Sequence, residues 1–156
     1  MLSNVVIPLP VHLPADSTDA LGVDCSASTG DVGVFNIPFK CQVYLAGILM
    51  TETPAGTTST PTIKFDKRVT AGSDTGRTDG TIAALTVTTA HTAGKLLYDL
   101  VAVGESAGIL TAGDQVIVQM TVASVGTGAA GHFYPILLVK YWPETIANMT
   151  DMVVTA

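Results

Sequence analysis

Charged residues are scarce in this sequence. Only 13% of its 156 residues are Asp, Glu, Lys or Arg, about half the share found in an average soluble protein. Seven basic residues stand against thirteen acidic ones, a formal net charge of −6, so the chain lacks the cationic surface that nucleic-acid-binding proteins use. We therefore expect no nucleic-acid partner, and the shortage of charged helix-forming residues also excludes a coiled coil.

Long apolar runs are absent too, although 47% of the residues are hydrophobic and the mean hydropathy is +0.46. A membrane-spanning helix needs about 20 mostly apolar residues, whereas the best uncharged apolar segment covers only residues 43–50. The first basic residue is Lys40, and prolines interrupt the apolar start of the chain. We therefore expect neither a membrane span nor a secretory signal peptide, which favours an intracellular product or one released by lysis.

Cysteine and histidine are too few and too far apart to predict a metal site. Cys25 and Cys41 match no zinc-binding spacing, and we interpret them as free thiols, with one disulfide as the alternative. Cys41 falls on the apolar side of a candidate strand, whereas Cys25 lies in a polar segment. The four aspartates within residues 16–31 indicate a solvated loop rather than a calcium site. We expect no metal ion and no other cofactor.

Short segments of alternating apolar and polar residues dominate the rest of the chain. No window shows the 3.6-residue period of an amphipathic helix, and loops rich in Gly, Thr, Ser and Pro separate the segments, including residues 51–61. Segment 96–103 could also form two helical turns, but its β-branched and aromatic residues favour a strand. The pattern predicts an all-β fold, an antiparallel, jelly-roll-like β-sandwich of about eight strands. Strands are expected at residues 34–37, 39–45, 63–69, 82–89, 96–103, 116–122 and 133–142. The polar segment 15–33 forms either one long loop or two loops around a short strand at 21–23.

The chain divides into three parts on this interpretation. Residues 1–14 form an extended N-terminal arm, residues 15–142 the β-sandwich domain, and residues 143–156 a C-terminal tail in which 152–155 have strand character. Prolines and β-branched residues disfavour a helix in the arm, which is too short to form a core of its own. We predict that the arm contacts a neighbouring subunit or a capsid. The predicted interface residues are Leu2, Val5, Val6, Ile7, Leu9, Val11 and Leu13.

One short motif matches the nucleophile elbow of the α/β-hydrolases. Gly104, Ser106 and Gly108 fit the G-x-S-x-G pattern, and Asp114 and His132 follow in the order of a catalytic triad. The elbow requires a helix after the serine and a parallel sheet covered by helices, and neither is expected here. We interpret the motif as a hairpin loop and expect no catalytic residues. An esterase that uses Ser106 is the enzymatic alternative.

A second motif, G-x-G-x-x-G at residues 126–131, matches the dinucleotide-binding fingerprint. That function requires the motif to open a helix whose N-terminus holds the pyrophosphate. The apolar strand expected at 133–142 follows instead, so the motif indicates a flexible connection between strands.

The surface implied by this composition is typical of a subunit in an assembly. Soluble monomers of this size carry many Lys and Glu residues, whereas Thr, Ala, Ser and Gly take their place here. Because the cores of protein interfaces are depleted in charge, the sequence predicts a structural subunit whose surface is largely covered by partners.

The overall layout resembles the small head decoration (cement) proteins of tailed bacteriophages. The shared features are the extended N-terminus over residues 1–13, the Thr-, Ala-, Gly- and Val-rich β-sandwich over 34–142, the turn-strand unit over 112–118, and the Gly-rich segment 126–131 before an apolar strand. The resemblance implies a non-enzymatic virion protein with a jelly-roll or similar β fold. It further implies a homotrimer that is assembled in the host cytoplasm and bound to the major capsid protein on the outer surface of the head. There it would stabilise the shell by bridging capsomers.

Two other functions fit the same features. The protein could be a tail or fibre component of a virion, which needs the same kind of surface. It could also be a carbohydrate-binding jelly-roll module, because Tyr141 and Trp142 stand at the end of the last long strand, where aromatic rings can stack on a sugar.

Overall fold

The computed structural model describes residues 5–14, 18–27, 29–56, 61–69, 80–102, 104–123, 126 and 128–141. Leu2, Trp142 and the predicted tail with its strand at 152–155 lie outside these residues. The described chain contains one short 3₁₀ turn, Ser106–Gly108, and twelve strands. The strands are β1 (Val6–Pro8), β2 (Val11–His12), β3 (Thr18–Asp19), β4 (Gly22–Asp24), β5 (Gly30–Asn36), β6 (Cys41–Ala55), β7 (Thr62–Arg68), β8 (Thr81–Thr86), β9 (Leu96–Leu100), β10 (Ile109–Leu110), β11 (Gln115–Val122) and β12 (Ala130–Tyr141).

The strands form two antiparallel sheets, which confirms the predicted all-β sandwich. In the first sheet the order is β10-β6-β12-β4-β3, with β9 also paired with β6 and β1 also paired with β12. The second sheet has the order β2-β5-β11-β7-β8. Every pairing is antiparallel, so the architecture follows from local alternation and requires no crossover helices.

All seven predicted strand segments coincide with observed strands, and β4 lies at the short strand that was the alternative to one long loop over residues 15–33. The four additional strands, β1, β2, β3 and β10, have only two or three residues each, which is too short to produce a readable alternation. The prediction of a loop over residues 51–61 is wrong for its first part, because β6 continues to Ala55. Pro54 lies where the pairing of β6 with β12 shifts register, and such an irregularity is where a strand tolerates proline.

The inward faces of both sheets share one hydrophobic core. Phe35 on β5 and Phe65 on β7 lie on the two strands that flank β11 in the second sheet, and their ring centroids are 6.5 Å apart. Phe133 on β12 is fully buried from the first sheet. Burial of each phenylalanine side chain stabilises the fold by roughly 1.5–3 kcal/mol. The core therefore joins the two sheets without a disulfide, and both cysteines are free.

The described part of the N-terminal arm is extended, as predicted, and lies on the chain's own sandwich. β1 pairs with β12 of the first sheet and β2 pairs with β5 of the second. Between them, Leu9 is buried and its N–H donates to the Leu137 carbonyl at 3.0 Å. The arm therefore connects the two sheets within the chain. Three further predicted interface residues also pack against the core: Ile7, Val11 and Leu13.

Candidate interaction surface

The outward face of the first sheet is apolar at its centre, where β6 and β12 pair. Side chains alternate across a strand, and Ile48 of β6 and Leu137 of β12 point into the core. Residues at the alternate positions of these two strands therefore point outward. These outward residues form three register pairs, Leu45 with Leu138, Gly47 with Ile136, and Leu49 with Tyr134.

Strand β9 extends this apolar surface on one side of β6. Its outward residues Leu96, Tyr98 and Leu100 are 42%, 52% and 54% exposed. On the other side, β1 adds two more apolar residues beside β12. We call these eleven residues together the apolar face: Val6, Pro8, Leu45, Gly47, Leu49, Leu96, Tyr98, Leu100, Tyr134, Ile136 and Leu138.

Gly47 is required for the position of β9 against β6. A Cβ atom at this residue would lie 2.6 Å from the Leu97 carbonyl oxygen and 2.9 Å from Cβ of Tyr98. Only glycine permits this close approach of two backbones. The side chains of Tyr98 and Leu45 lie against the space that a side chain of Gly47 would fill.

The outward face of the second sheet has the opposite character. Gln115 of β11 donates to Asn36 of β5 at 2.9 Å, and Thr81 of β8 donates to Asp66 of β7 at 2.7 Å. A polar outward face is the usual pattern for an antiparallel sheet with one face in water. Because the second sheet follows this pattern and the first does not, the apolar face is the surface of this molecule that is best suited to a partner.

Charged side chains flank the apolar face at its two ends. At one end the ammonium group of Lys140 lies 4.3 Å from the ring centroid of Tyr44. At the other end His132 lies between the carboxylates of Glu52 and Asp19, with N–O distances of 2.6 Å and 3.2 Å. Both carboxylates are substantially exposed. The face therefore has a cation at one end and acids at the other.

The contact of His132 with two acids could not be recognised in the sequence, because Asp19 and Glu52 lie far from it along the chain. A neutral imidazole has one N–H donor, whereas a protonated one has two. Protonated His132 can therefore donate to both carboxylates and connect β3, β6 and β12. Within the described ranges, no group of three His, Cys, Asp or Glu residues could hold a metal ion.

The residues of the hydrolase-like motif have separate partners. The carboxylate of Asp114 accepts hydrogen bonds from the N–H and the hydroxyl of Thr111 at 2.8 Å and 3.1 Å, and it lies 3.9 Å from Nζ of Lys67. His132 is bound to Glu52 and Asp19 as described above. Ser106 is exposed in the 3₁₀ turn, and β10 follows it instead of a helix. Among the described residues, neither candidate base contacts the serine.

The Gly-rich motif leads into β12, which begins at Ala130. This confirms the predicted strand connection, since a dinucleotide site would require a helix there. Gly131 has a φ of +117°, and a Cβ atom on it would lie 2.6 Å from Cα of Pro54. This glycine therefore allows β6 and β12 to approach closely.

Both cysteines are fully buried, which corrects the prediction that Cys25 lies in a polar loop. Its N–H donates to the Gly131 carbonyl at 2.8 Å, so the turn after β4 folds inward. Burial raises the pKa of Cys25 to about 12, with smaller contributions from Asp24 and Glu52. Burial and the charge of Asp114 raise the pKa of Cys41 to about 12 as well. Such thiols are poor nucleophiles and poor metal ligands.

A groove of about 360 Å³ lies between the edge strands β8 and β9. Its walls include Leu85 and Thr86 of β8, His91 and Lys95 of the connecting loop, and Tyr98 of β9. The ring of His91 is not free, because its Nδ1 accepts the Thr88 N–H at 2.8 Å. The groove favours the carbohydrate-binding alternative, as does Tyr141, which is 41% exposed at the end of β12.

The predicted interface residues of the arm fall into two groups. Val5 and Val6 are 47% and 38% exposed, and Val6 belongs to the apolar face. Ile7, Leu9, Val11 and Leu13 face the chain's own core. A contact of the arm with another subunit stays a prediction, for which Val5 and Val6 are the exposed side chains.

Among the described residues, no helix has the length and apolar character needed to cross a membrane.

No protein-family model, curated protein or solved structure matches the chain significantly.

Proposed function

We propose that the protein is a viral structural protein, a capsid decoration or cement subunit that binds the major capsid protein lattice and stabilises the head shell. The observation that supports this proposal is the apolar face of the first sheet, with Leu96, Tyr98 and Leu100 exposed at its edge. Contiguous exposed apolar surface of this kind is typical of a protein–protein interaction site.

The size of the face suits a subunit that acts in many copies. Covering about 300 Å² of apolar surface contributes roughly 7 kcal/mol, while association costs about 4–15 kcal/mol. A single contact is therefore of modest strength. On a lattice many such contacts act together, which raises the overall affinity without any new interaction.

Electrostatics supports a position on the outside of the head. Packaged DNA binds proteins chiefly through Lys and Arg contacts to phosphate, and this chain has seven basic residues and a net charge of −6. A negatively charged subunit is repelled by the DNA inside the shell. The outer surface is therefore the better location.

The experiment that tests the proposal is the copy number of this chain in purified virus particles, measured by quantitative mass spectrometry. Hundreds of copies in a simple ratio to the major shell protein are expected for a decoration protein. Shells that carry the protein should also withstand higher temperatures than shells that lack it. A handful of copies would indicate a tail or fibre component instead, and complete absence from particles would overturn the structural function.

The groove between β8 and β9 favours one second candidate, a carbohydrate-binding module. Tyr98 is an exposed aromatic residue beside polar groups, which is the arrangement that sugars bind. A glycan array is the test of this function. Binding that is lost in Tyr98→Ala would support it, and an array without hits would remove it.

A further inference from the structure

We infer that a second copy of this chain covers the apolar face, so that two first sheets pack against each other with their strands antiparallel. The inference rests on the proposed function only in treating this face as an interface, and in the dimer the shell protein is contacted by the remaining surfaces of the two copies. It adds the identity of the partner and the symmetry of the contact. Three properties of the face support it: its distribution of charge, its geometry and its area.

The charges at the two ends of the face complement each other. Lys140 lies at one end of β12, and His132 lies at the other end beside Glu52 and Asp19. Asp24 is paired with His132 across β4 and β12 and adds a third carboxylate to that end. A second copy in reversed orientation would place its acidic end over Lys140. A copy in the same orientation would place acids over acids, which is unfavourable.

The two ends are equally distant from the centre of the face. The pairing of the strands aligns Tyr98 with Gly47 and Gly47 with Ile136. Ile136 lies midway between His132 and Lys140 along β12. A two-fold axis along this central row therefore superimposes each strand on its own copy. Lys140 then meets the partner's His132, and Tyr98 meets the partner's Tyr98.

The area of the face is sufficient for a specific contact. Residues 132–140 of β12 and 42–52 of β6 span the face and its charged ends, and β9, β1 and β4 add five, three and three residues beside them. With a strand spacing of about 4.8 Å and a rise of about 3.3 Å per residue, these strands cover roughly 500 Å² per copy. Two copies then bury about 1,000 Å² in total, which is the lower limit for a biological interface. Packed sheets keep their strand directions within about 30° of each other, and a reversed copy satisfies this condition.

This contact is two-fold, whereas the resemblance to decoration proteins implies a trimer. The mass of the full chain in solution therefore decides between them. We expect sedimentation velocity to give twice the chain mass of 16.0 kDa. Tyr98→Lys should raise the dissociation constant of the dimer at least tenfold, because it places two lysines opposite each other across the axis. Asn36→Lys is the matched control, since it adds a lysine at an exposed position of β5 on the outward face of the second sheet and should leave the dimer unchanged.

Two further variants test the orientation. Lys140→Glu should weaken the dimer, and adding Glu52→Lys should restore it, because the exchange recreates opposite charges only in the reversed arrangement. Tyr98→Cys should form a disulfide-linked dimer on oxidation, since the two-fold axis brings these positions together. Asn36→Cys should stay monomeric on a denaturing gel. Melting temperatures confirm that each variant is folded.

Several outcomes would overturn the inference. A monomeric or trimeric wild-type chain would exclude the two-fold contact. So would a dimer that Tyr98→Lys leaves intact, or a charge exchange that fails to restore association. The proposed function is tested separately by the copy number in particles. A chain that is monomeric in solution but abundant on capsids would leave the proposed function in place and assign the face to the shell protein.

Discussion

At the scale of single residues, burial controls the chemistry of the two thiols. Cys25 and Cys41 are fully buried, and each pKa is raised to about 12. Folding therefore keeps both groups protonated at pH values where the unfolded chain releases their protons. The two cysteines act as small core residues and not as reactive groups.

The raised pKa values predict a loss of stability in alkaline solution. Below pH 9 the thiols are protonated in the folded and in the unfolded state, so their contribution to the free energy of unfolding is fully present. As pH rises from 9 towards 12 the unfolded state binds fewer protons, and the free energy of unfolding falls by up to about 1.4 kcal/mol per pH unit for each thiol. Urea unfolding at pH 8 and pH 10 measures this slope. The double variant Cys25→Ala with Cys41→Ala should show a smaller decrease, and an equal decrease would contradict the assignment to the thiols.

At the scale of elements, the edge strand β9 and the arm are each attached to the sandwich by a few contacts. β9 pairs only with β6, and Gly47 allows that approach. The arm is attached by short pairings at both ends, with Leu9 buried between them. Both elements carry exposed apolar residues, so their attachment also shapes the candidate interaction surface.

Gly47→Ala should displace β9. The new Cβ would meet the Leu97 carbonyl, which is backbone and cannot move aside alone. Overpacking of this kind costs about 1–3 kcal/mol, measured by urea unfolding, and it should speed hydrogen exchange of the β9 amides. Leu96→Ala on the same strand removes an exposed side chain and should leave exchange unchanged. Equal exchange in Gly47→Ala and the wild type would show that β9 does not need this glycine.

Leu9→Ala tests whether the arm is part of the chain's own fold. Replacing a buried leucine by alanine costs about 2–5 kcal/mol, whereas Val5→Ala, at an exposed position of the same arm, should stay within about 0.5 kcal/mol. Thermal or urea unfolding of both variants gives the comparison. A small effect of Leu9→Ala would mean that the arm contributes little to the isolated chain.

At the scale of the whole molecule, the two outward faces differ in kind. The second sheet presents amides, hydroxyls and charges, and the first presents the apolar face with charges only at its ends. Because the polar side chains are concentrated on the second sheet, a chain with few charges still presents one polar outward face. One face suits water and the other suits a partner.

The proposed self-association predicts that stability depends on protein concentration. A partner that binds only the folded state stabilises it by mass action, so the melting temperature of the wild type should rise with concentration. Tyr98→Lys should remove this dependence and keep a cooperative transition, because Tyr98 lies outside the core. A wild-type melting temperature that is constant over a hundredfold dilution, roughly 2.7 kcal/mol of linkage, would contradict the second copy as partner.

Much of the fold could be predicted because β alternation is a local signal. The alternating residues of β11 and the Thr-rich segment 82–89, which contains most of β8, were recognisable without tertiary information. β6 was only partly recognised. Its polar end, with Thr51 and Pro54, has the composition of a loop and becomes a strand because β12 provides a partner there. β10 has only two residues and forms a strand because β6 provides a partner for it.

The candidate interaction surface was much less accessible to sequence reasoning. The apolar run over residues 43–50 is too short for a membrane span, but it does not indicate what covers the outward face of the strand. The arm was expected on a neighbouring subunit, yet its described part pairs with β12 and β5. β1 and β12 are more than a hundred residues apart in the sequence, and no local pattern predicts that they pair.

The sequence by itself determined the all-β class, the positions of the main strands, the shortage of charge and the absence of a zinc-like cysteine spacing. Each of these follows from composition or from a period of two residues. Tertiary structure decided which apolar side chains remain exposed, that Cys25 enters the core, and that His132 meets Asp19 and Glu52. The physical reason is that alternation separates the two sides of a strand, whereas burial depends on which distant strands pack against each side.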